Sequence, residues 1–96
     1  MKKEDEEEIL KVFGAKSTKE ILEYLDQHDA APYMEMAEFA NVGTLNLRLI
    51  ELIRFKLVSH HLERKPNRIE WYEITEKGRQ VLKQLEILIE LTAESS

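Results

Sequence analysis

Apolar residues recur every three to four positions in five segments of the chain, and this spacing predicts amphipathic α-helices. The predicted helices span residues 3–13, 17–28, 33–40, 44–56 and 75–92. Between the last two, residues 57–64 and 68–74 are rich in Val, Ile, Trp and Tyr, which are typical of strands. Because Pro and Asn form turns, Lys65-Pro66-Asn67 predicts a hairpin between them. The pattern indicates a mainly α fold with a small antiparallel β-hairpin, an α+β arrangement.

Short polar residues, Gly and Pro mark the ends of these helices. Gly14 is the predicted end of the first, and Ser17-Thr18-Lys19-Glu20 has the spacing of a capping box in which the serine caps the second. Pro32 suits the start of the third helix, and Asn41-Val42-Gly43 predicts the turn before the fourth. Thr75 is expected to cap the last helix.

Each helix has one apolar face that we expect to be buried. The predicted buried residues are Ile21, Leu22 and Leu25 in the second helix, Met34, Ala37 and Phe39 or Ala40 in the third, and Leu45, Leu49, Leu52, Ile53 and the stem of Lys56 in the fourth. The hairpin alternates imperfectly, with Ile69 and Trp71 on one face and Tyr72 and Ile74 on the other. A bulge near residues 70–72 or a two-sided strand would explain this pattern.

The last predicted helix is more apolar than one buried face requires. Its surplus predicts packing on its own domain and on a second copy of the chain, through Val81, Leu85, Leu88 and Ile89. In the first helix, Ile9 and Phe13 lie four positions apart on one face. That face packs either on its own domain or across the same homodimer.

Charge is distributed unevenly around a net value of −5. Residues 1–42 carry five Lys or Arg against eleven Asp or Glu, a net of −6, and residues 73–96 carry three against five, a net of −2. Residues 43–72 carry six against three, a net of +3. The basic excess therefore coincides with the fourth helix and the hairpin, and a local basic patch can dock on phosphates although the whole chain is acidic.

The order of helix, turn, helix and basic hairpin is that of a helix-turn-helix followed by a wing, whose usual partner is duplex DNA. Near the start of the fourth helix, Thr44, Asn46 and Arg48 are candidates to reach base edges, with Arg48 donating to guanine and Asn46 pairing with adenine. The alternative is a core helix with a solvated polar face. Leu47 and Ile50 should both be partly exposed, which fits contact with thymine methyl groups or with another protein.

Three cations, Arg64, Lys65 and Arg68, surround the predicted hairpin turn, and the turn contains no acidic residue. They predict contact with a phosphate or a minor groove, and the alternative is an ordinary solvated turn. The full predicted DNA-binding set is Thr44, Asn46, Leu47, Arg48, Arg54, Arg64, Lys65, Asn67 and Arg68.

Other chemistries find little support in the sequence. His60 and His61 are adjacent in a strand and should point to opposite faces, so they cannot readily bind one metal ion. No nucleophile–base pairing, metal-ligand spacing or phosphate loop is present, so neither an enzyme nor a cofactor is expected. The chain has no cysteine, which excludes disulfides. The lack of a long apolar run and of a signal-peptide pattern predicts no membrane partner and a cytoplasmic location.

At 96 residues, one domain over 1–96 is expected, with an N-terminal helix in 1–14, a helix-turn-helix and wing in 17–74, and a C-terminal dimerisation helix in 75–92. Four segments of this domain carry a resemblance to a known family: Gly14-Ala15-Lys16 leading to Ile21-Leu22, Leu45 to Leu52, Pro66 to Glu70, and Tyr72-Glu73-Ile74-Thr75-Glu76-Lys77-Gly78. From Gly14 to about Leu88 the chain resembles the winged-helix transcriptional regulators of the HxlR and MarR type. The last segment is also similar to the ending of short winged-helix proteins of archaea and their viruses.

This resemblance implies a homodimer that binds duplex DNA and controls transcription, with contacts from Thr44, Asn46 and Arg48 and from the wing cations. The chain departs from the family pattern at two of its own positions. Lys56 stands where the family often has glycine, and Leu47 stands where a polar or basic residue is common. The N-terminal cysteine that some members use for thiol sensing is also absent.

Overall fold

The computed structural model describes residues 2–94, which form five helices and three strands. The helices are α1 (Lys3–Phe13), α2 (Lys16–His28), α3 (Tyr33–Met36), α4 (Val42–Arg54) and α5 (Glu76–Glu94). The strands are β1 (Ala30–Ala31), β2 (Val58–Glu63) and β3 (Ile69–Ile74). The fold is therefore α+β, as the hydrophobic pattern predicted, with one strand more than the predicted hairpin.

The strands form one antiparallel sheet in the order β1–β3–β2. β2 and β3 pair without interruption from Val58 opposite Ile74 to Glu63 opposite Ile69, so the suggested bulge is wrong. The imperfect alternation instead belongs to a strand that is covered on both faces, because residues 70–73 are all half-buried. β1 covers the other edge of β3 and is too short to show a periodicity in the sequence.

The core lies where α2 and α4 pack against the sheet and α5 packs against α2. The predicted buried face of α2 is confirmed, since Ile21, Leu22 and Leu25 are all buried. In α4, Leu45, Leu49 and Leu52 are buried as predicted, while Ile53 is half-buried and packs against the core. Burial of each such side chain contributes about 1.5–3 kcal/mol relative to exposure. Val12 of α1 joins this core, while Ile9 and Phe13 are half-buried.

The predicted capping box at the start of α2 is wrong. The helix begins at Lys16 after Ala15, so Ser17 lies inside the first turn and caps nothing. The next residue makes the tertiary connection, because the Thr18 hydroxyl donates to the carbonyl of Val12 at the end of α1. A buried hydroxyl needs such a partner, and this one ties the two helices together.

The third predicted helix is helical only in its first half. Only Tyr33–Met36 is helical, and Met36 occupies the core while Met34 is 73% exposed, opposite to the prediction for Met34. With a single helical turn, the position of the chain against the core decides which methionine is buried. At the next turn, Asn41 caps α4 by accepting from the amides of Gly43 (3.0 Å) and Thr44 (3.4 Å). Val42 and Gly43 are therefore helical rather than part of the predicted turn.

Lys56 does not extend the apolar face of α4, as the periodicity predicted. The helix ends at Arg54, and Lys56 adopts a left-handed backbone with φ of 63°. The amides of Lys56 and Leu57 donate to the carbonyls of Ile53 and Leu52, both at 2.9 Å, which is a Schellman motif. This turn places Leu57 in the core and leaves Lys56 exposed, at the position that usually favours glycine.

The hairpin is held to both flanking helices by hydrogen bonds. The Thr75 hydroxyl accepts from the Gly78 amide (2.9 Å), which confirms the predicted cap of α5, and donates to the Lys56 carbonyl (2.7 Å). The Thr75 amide donates to the Leu57 carbonyl (3.0 Å). α4, the hairpin and α5 are consequently joined at one junction. Within residues 2–94, no helix combines the length and the apolar character needed to cross a membrane.

Candidate nucleic-acid interface

The outward face of α4 is exposed and largely apolar. Leu47 is 51% exposed and Ile50 is 65% exposed, as the helical spacing predicted, and Val42 at the start of the helix is 54% exposed. Asn46 is exposed among them, and Thr44 is half-buried. The inward residues of α4 are in the core, so the helix cannot rotate to bury this face.

Arg48 does not lie on that outward face. Its Nε donates to the Ser17 hydroxyl (3.0 Å) and its guanidinium binds the Glu51 carboxylate (2.7 Å). Only 12% of the Arg48 side chain and 13% of the Glu51 side chain are exposed. A charge this well enclosed is held by its partners, so Arg48 joins α2 to α4 and its donors are engaged within the protein.

Arg54, at the end of α4, is also paired inside the molecule. It forms an ion pair with Glu8 of α1, and that hydrogen bond raises the pKa of the guanidinium. The same group lies 5.1 Å from the ring centre of Phe55, a cation–π arrangement. The side chain is still 56% exposed, so a ligand can reach Arg54. Because Glu8 already binds the guanidinium, such a ligand must compete with Glu8.

The cations at the hairpin tip are differently placed. Residues 64–68 form the exposed loop between β2 and β3. Among residues 2–94, no carboxylate lies within 4.0 Å of the side-chain nitrogens of Arg64 or Lys65. The nearest Arg68 nitrogen is as far as 4.0 Å from a carboxylate oxygen of Glu70, a long distance for an ion pair. Asn67 is exposed between them. The tip therefore presents three cations whose charge is little compensated by the protein.

Below the tip, the two histidines take part in cross-strand pairs. His60 stacks on Tyr72 and bonds to Glu70 (2.7 Å), while His61 stacks on Trp71. Such stacked pairs stiffen a short hairpin. The sequence contained the signal, because an antiparallel pairing around the turn brings His-His opposite Trp-Tyr. In the part of the chain that the structure describes, no group of three potential ligands could hold a metal ion.

A second exposed surface lies along α5, the last helix, and α1, the first helix. Val81 and Leu85 are half-buried, whereas Leu88 is 59% exposed and Ile89 is 50% exposed. These residues border a groove of about 570 Å³ and an adjoining groove of about 430 Å³. Both grooves are lined by Phe13, Leu85 and Leu88.

The nine residues predicted to bind DNA thus divide into three groups. Asn46 and Leu47 are exposed on α4 with half-buried Thr44 beside them, and Arg48 and Arg54 are paired with acids of the same chain. The hairpin tip holds the other four, Arg64, Lys65, Asn67 and Arg68. Ile50, left out of that set, is the most exposed apolar residue of α4. No family model matches the chain, and no curated protein matches it significantly.

Proposed function

We propose that this protein is a winged helix-turn-helix regulator of transcription that binds specific duplex DNA as a homodimer. In this assignment α3 and α4 are the helix-turn-helix, with α4 in the major groove, and the β2–β3 hairpin is the wing. The observation that carries the proposal is the hairpin tip. Arg64, Lys65 and Arg68 project into solvent with little charge compensation from the protein.

The electrostatics of α4 support the same assignment. Its outward face carries no carboxylate, because the acid of this helix, Glu51, is turned inward and bound to Arg48. The exposed face of α4 therefore presents no carboxylate of its own to a polyanion, and Arg54 at the end of the helix pairs with Glu8, one acid of the acidic segment at the start of α1. Most phosphate attraction must then come from the wing.

The proposed homodimer is supported by the apolar side chains along α5. Ile87, Leu88 and Ile89 are each about half exposed, and exposed patches of this kind mark protein interfaces. Val81 and Leu85 continue the surface toward the body of the domain, with Ile9 and Phe13 at its edge. Two antiparallel copies would cover these residues and repeat the wing and α4 on both sides of a two-fold axis.

Fluorescence anisotropy with labelled duplexes over a salt series tests DNA binding. Two wings supply six cations, so log K should fall against log salt with a slope of roughly −5. Replacing the three wing cations with Ala should weaken binding to every duplex and flatten this slope. A matched control replaces exposed Lys3, Lys11 and Lys83 with Ala, which changes the net charge equally. The proposal fails if no duplex binds at low salt or if the binding constant does not change with salt concentration.

Sedimentation equilibrium tests the homodimer. The unaltered chain should be dimeric at micromolar concentration, and Leu88→Glu should make it monomeric, because a carboxylate would be buried in an apolar contact. Met34→Glu is the matched control, since Met34 is exposed but lies on α3. A monomeric unaltered chain would contradict the homodimer.

A second candidate function is a winged-helix module that binds another protein and not specific DNA. The exposed Leu47 and Ile50, together with the net charge of −5, favour it. Pull-down from a lysate followed by competition with DNA discriminates the two. A stoichiometric protein that is lost in Leu47→Glu, combined with no duplex binding, would support this module. A dimer that cannot span half-sites about 34 Å apart would also support it.

A further inference from the structure

Three exposed residues of α4 form a small recognition surface with a defined chemistry. Leu47 and Ile50 are three positions apart and Asn46 is four positions before Ile50, so their side chains are neighbours on one helical face. We call Asn46, Leu47 and Ile50 the reading triad. It offers two apolar side chains and one amide, and it carries no charge.

The base-reading groups that this surface lacks are as informative as those it has. Guanine is usually read by Arg or Lys, and cytosine by the carboxylate of Asp or Glu. In α4 the arginine and the carboxylate nearest the triad, Arg48 and Glu51, are bound to each other and enclosed. Arg54 lies a turn beyond Ile50 and is paired with Glu8. The remaining chemistry is an amide, which pairs with adenine, and apolar surface, which contacts the thymine methyl group.

A DNA groove suits this surface better than an apolar protein face does. Burying Asn46 against apolar protein would leave its amide donors and acceptor unsatisfied, which is destabilising. The major-groove edge of adenine supplies one acceptor and one donor to the same amide. The exposed, weakly compensated cations of the wing supply charge complementarity to phosphate.

We propose that the reading triad selects A·T base pairs in the major groove. Leu47 and Ile50 contact thymine C5-methyl groups, and Asn46 hydrogen-bonds to an adenine. This inference rests on the proposed function and deepens it. It gives Leu47 and Ile50, two exposed apolar residues that do not pack in the core, a role in sequence specificity. It also excludes Arg48 from contact with the bases, because Arg48 is bound to Glu51.

The experiment begins with selection of bound duplexes from a random pool. In the selected half-site, thymine should be found at the positions with the strongest base preference. Each thymine is then replaced by uracil, which removes only the methyl group and keeps the base pair. At a contacted position the affinity should fall roughly three- to fivefold, the equivalent of one buried methyl group. Uracil at positions outside the half-site should have no effect.

Protein variants identify which side chain makes each contact. Leu47→Ala and Ile50→Ala should each lower affinity for the thymine duplex and abolish the uracil effect at one position, since no side chain then meets the methyl group. Both residues are exposed, so these variants should fold, which circular dichroism checks. Met34→Ala is the control, because loss of an exposed apolar residue on α3 should leave the thymine-to-uracil ratio unchanged.

The outcomes separate this inference from the function on which it rests. Absence of binding to any duplex overturns both. Specific binding with no thymine preference, or with thymine and uracil bound equally at every position, overturns the reading triad alone. A guanine-containing half-site whose guanine preference disappears in Arg48→Met also overturns it, because the Arg48–Glu51 pair would then open on DNA.

Discussion

At Gly78 of α5, the addition of a single methyl group should lower the stability of the fold. A Cβ atom at this position would lie 2.2 Å from the carbonyl oxygen of Leu57 and 2.7 Å from Cγ1 of Ile74. The Leu57 oxygen cannot retreat freely, since it accepts from the Thr75 amide (3.0 Å). Gly78→Ala must therefore move α5 away from the junction between α4 and the hairpin.

Two opposing effects determine how much Gly78→Ala changes the free energy of unfolding. Alanine favours a helix interior over glycine by about 1 kcal/mol. Overpacking a core costs about 1–3 kcal/mol, and more when a backbone atom is struck, as here. To restore an ordinary contact, α5 must shift by about 1 Å, which loosens the Thr75 cap and the packing of buried Leu82. We expect the free energy of unfolding to fall by about 2 kcal/mol net.

Urea denaturation followed by circular dichroism measures this change, at one fixed protein concentration because dimerisation would couple to stability. With a slope of about 1–2 kcal/mol per molar urea, the midpoint should fall by about 1–2 M. Gly43→Ala is the matched control, because its Cβ would meet only the Asn41 side chain at an ordinary 3.4 Å. Its stability should be unchanged or up to about 1 kcal/mol higher. A Gly78→Ala protein as stable as the unaltered chain would refute the reasoning.

Three further substitutions test other features by the same titration. Lys56→Gly should raise the free energy of unfolding by about 0.5–1 kcal/mol, because glycine adopts the φ of 63° without strain. Arg48→Met should lower it by about 1–2 kcal/mol, since Glu51 and the Ser17 hydroxyl lose their partner in an enclosed site. Burial raises the pKa of Tyr72 above its usual value near 10, so the folded state keeps a proton that the unfolded state releases. Stability should therefore fall as pH rises from about 10, and Tyr72→Phe should remove that part of the loss.

Each of these expectations has a result that contradicts it. For Lys56, Lys56→Ala separates backbone strain from loss of the side chain, and equal stability of the Gly and Ala variants would exclude strain. For Arg48, an unchanged urea midpoint would mean that the pair with Glu51 contributes nothing. For Tyr72, identical loss of stability above pH 10 in the unaltered chain and in Tyr72→Phe would show that other groups, among them Tyr24, whose pKa is also raised, account for it.

Local patterns predicted the helices well where one apolar face meets a core. The bounds of α1 and the buried faces of α2 and α4 followed from spacing, and so did the exposure of Leu47 and Ile50. The Thr75 cap was also predictable, because a hydroxyl three residues before a helical amide satisfies a local requirement. These features depend on neighbours within about one turn of the chain.

Predictions failed where a distant residue competes for the same group. Ser17 had the sequence context of a cap, yet its hydroxyl accepts from Arg48, which lies 31 positions later. Arg48 had the position of a base reader, yet the distant Ser17 accepts from its Nε. Its other partner, Glu51, lies three positions later in the same helix, a spacing that the sequence already shows. Met34 and Met36 are equally apolar, and only the path of the chain over the core buries the second. Spacing along one helix cannot reveal which of its polar groups another element will claim.

The amino-acid sequence alone therefore determined the order of the elements, their apolar faces and the concentration of positive charge in the α4–hairpin region. Tertiary structure decided which of those charges remain available. Arg54 is paired with Glu8 of α1, and Ser17 of α2 accepts from Arg48, whose ion pair with Glu51 lies within α4 itself, three positions along the helix. Arg64 and Lys65 have no carboxylate partner among the described residues. The physical reason is the range of the interactions. Helical periodicity is a local property, but an ion pair depends on which side chains the fold brings within a few ångströms. The candidate interface consequently consists of an uncharged helix face and a cationic hairpin tip.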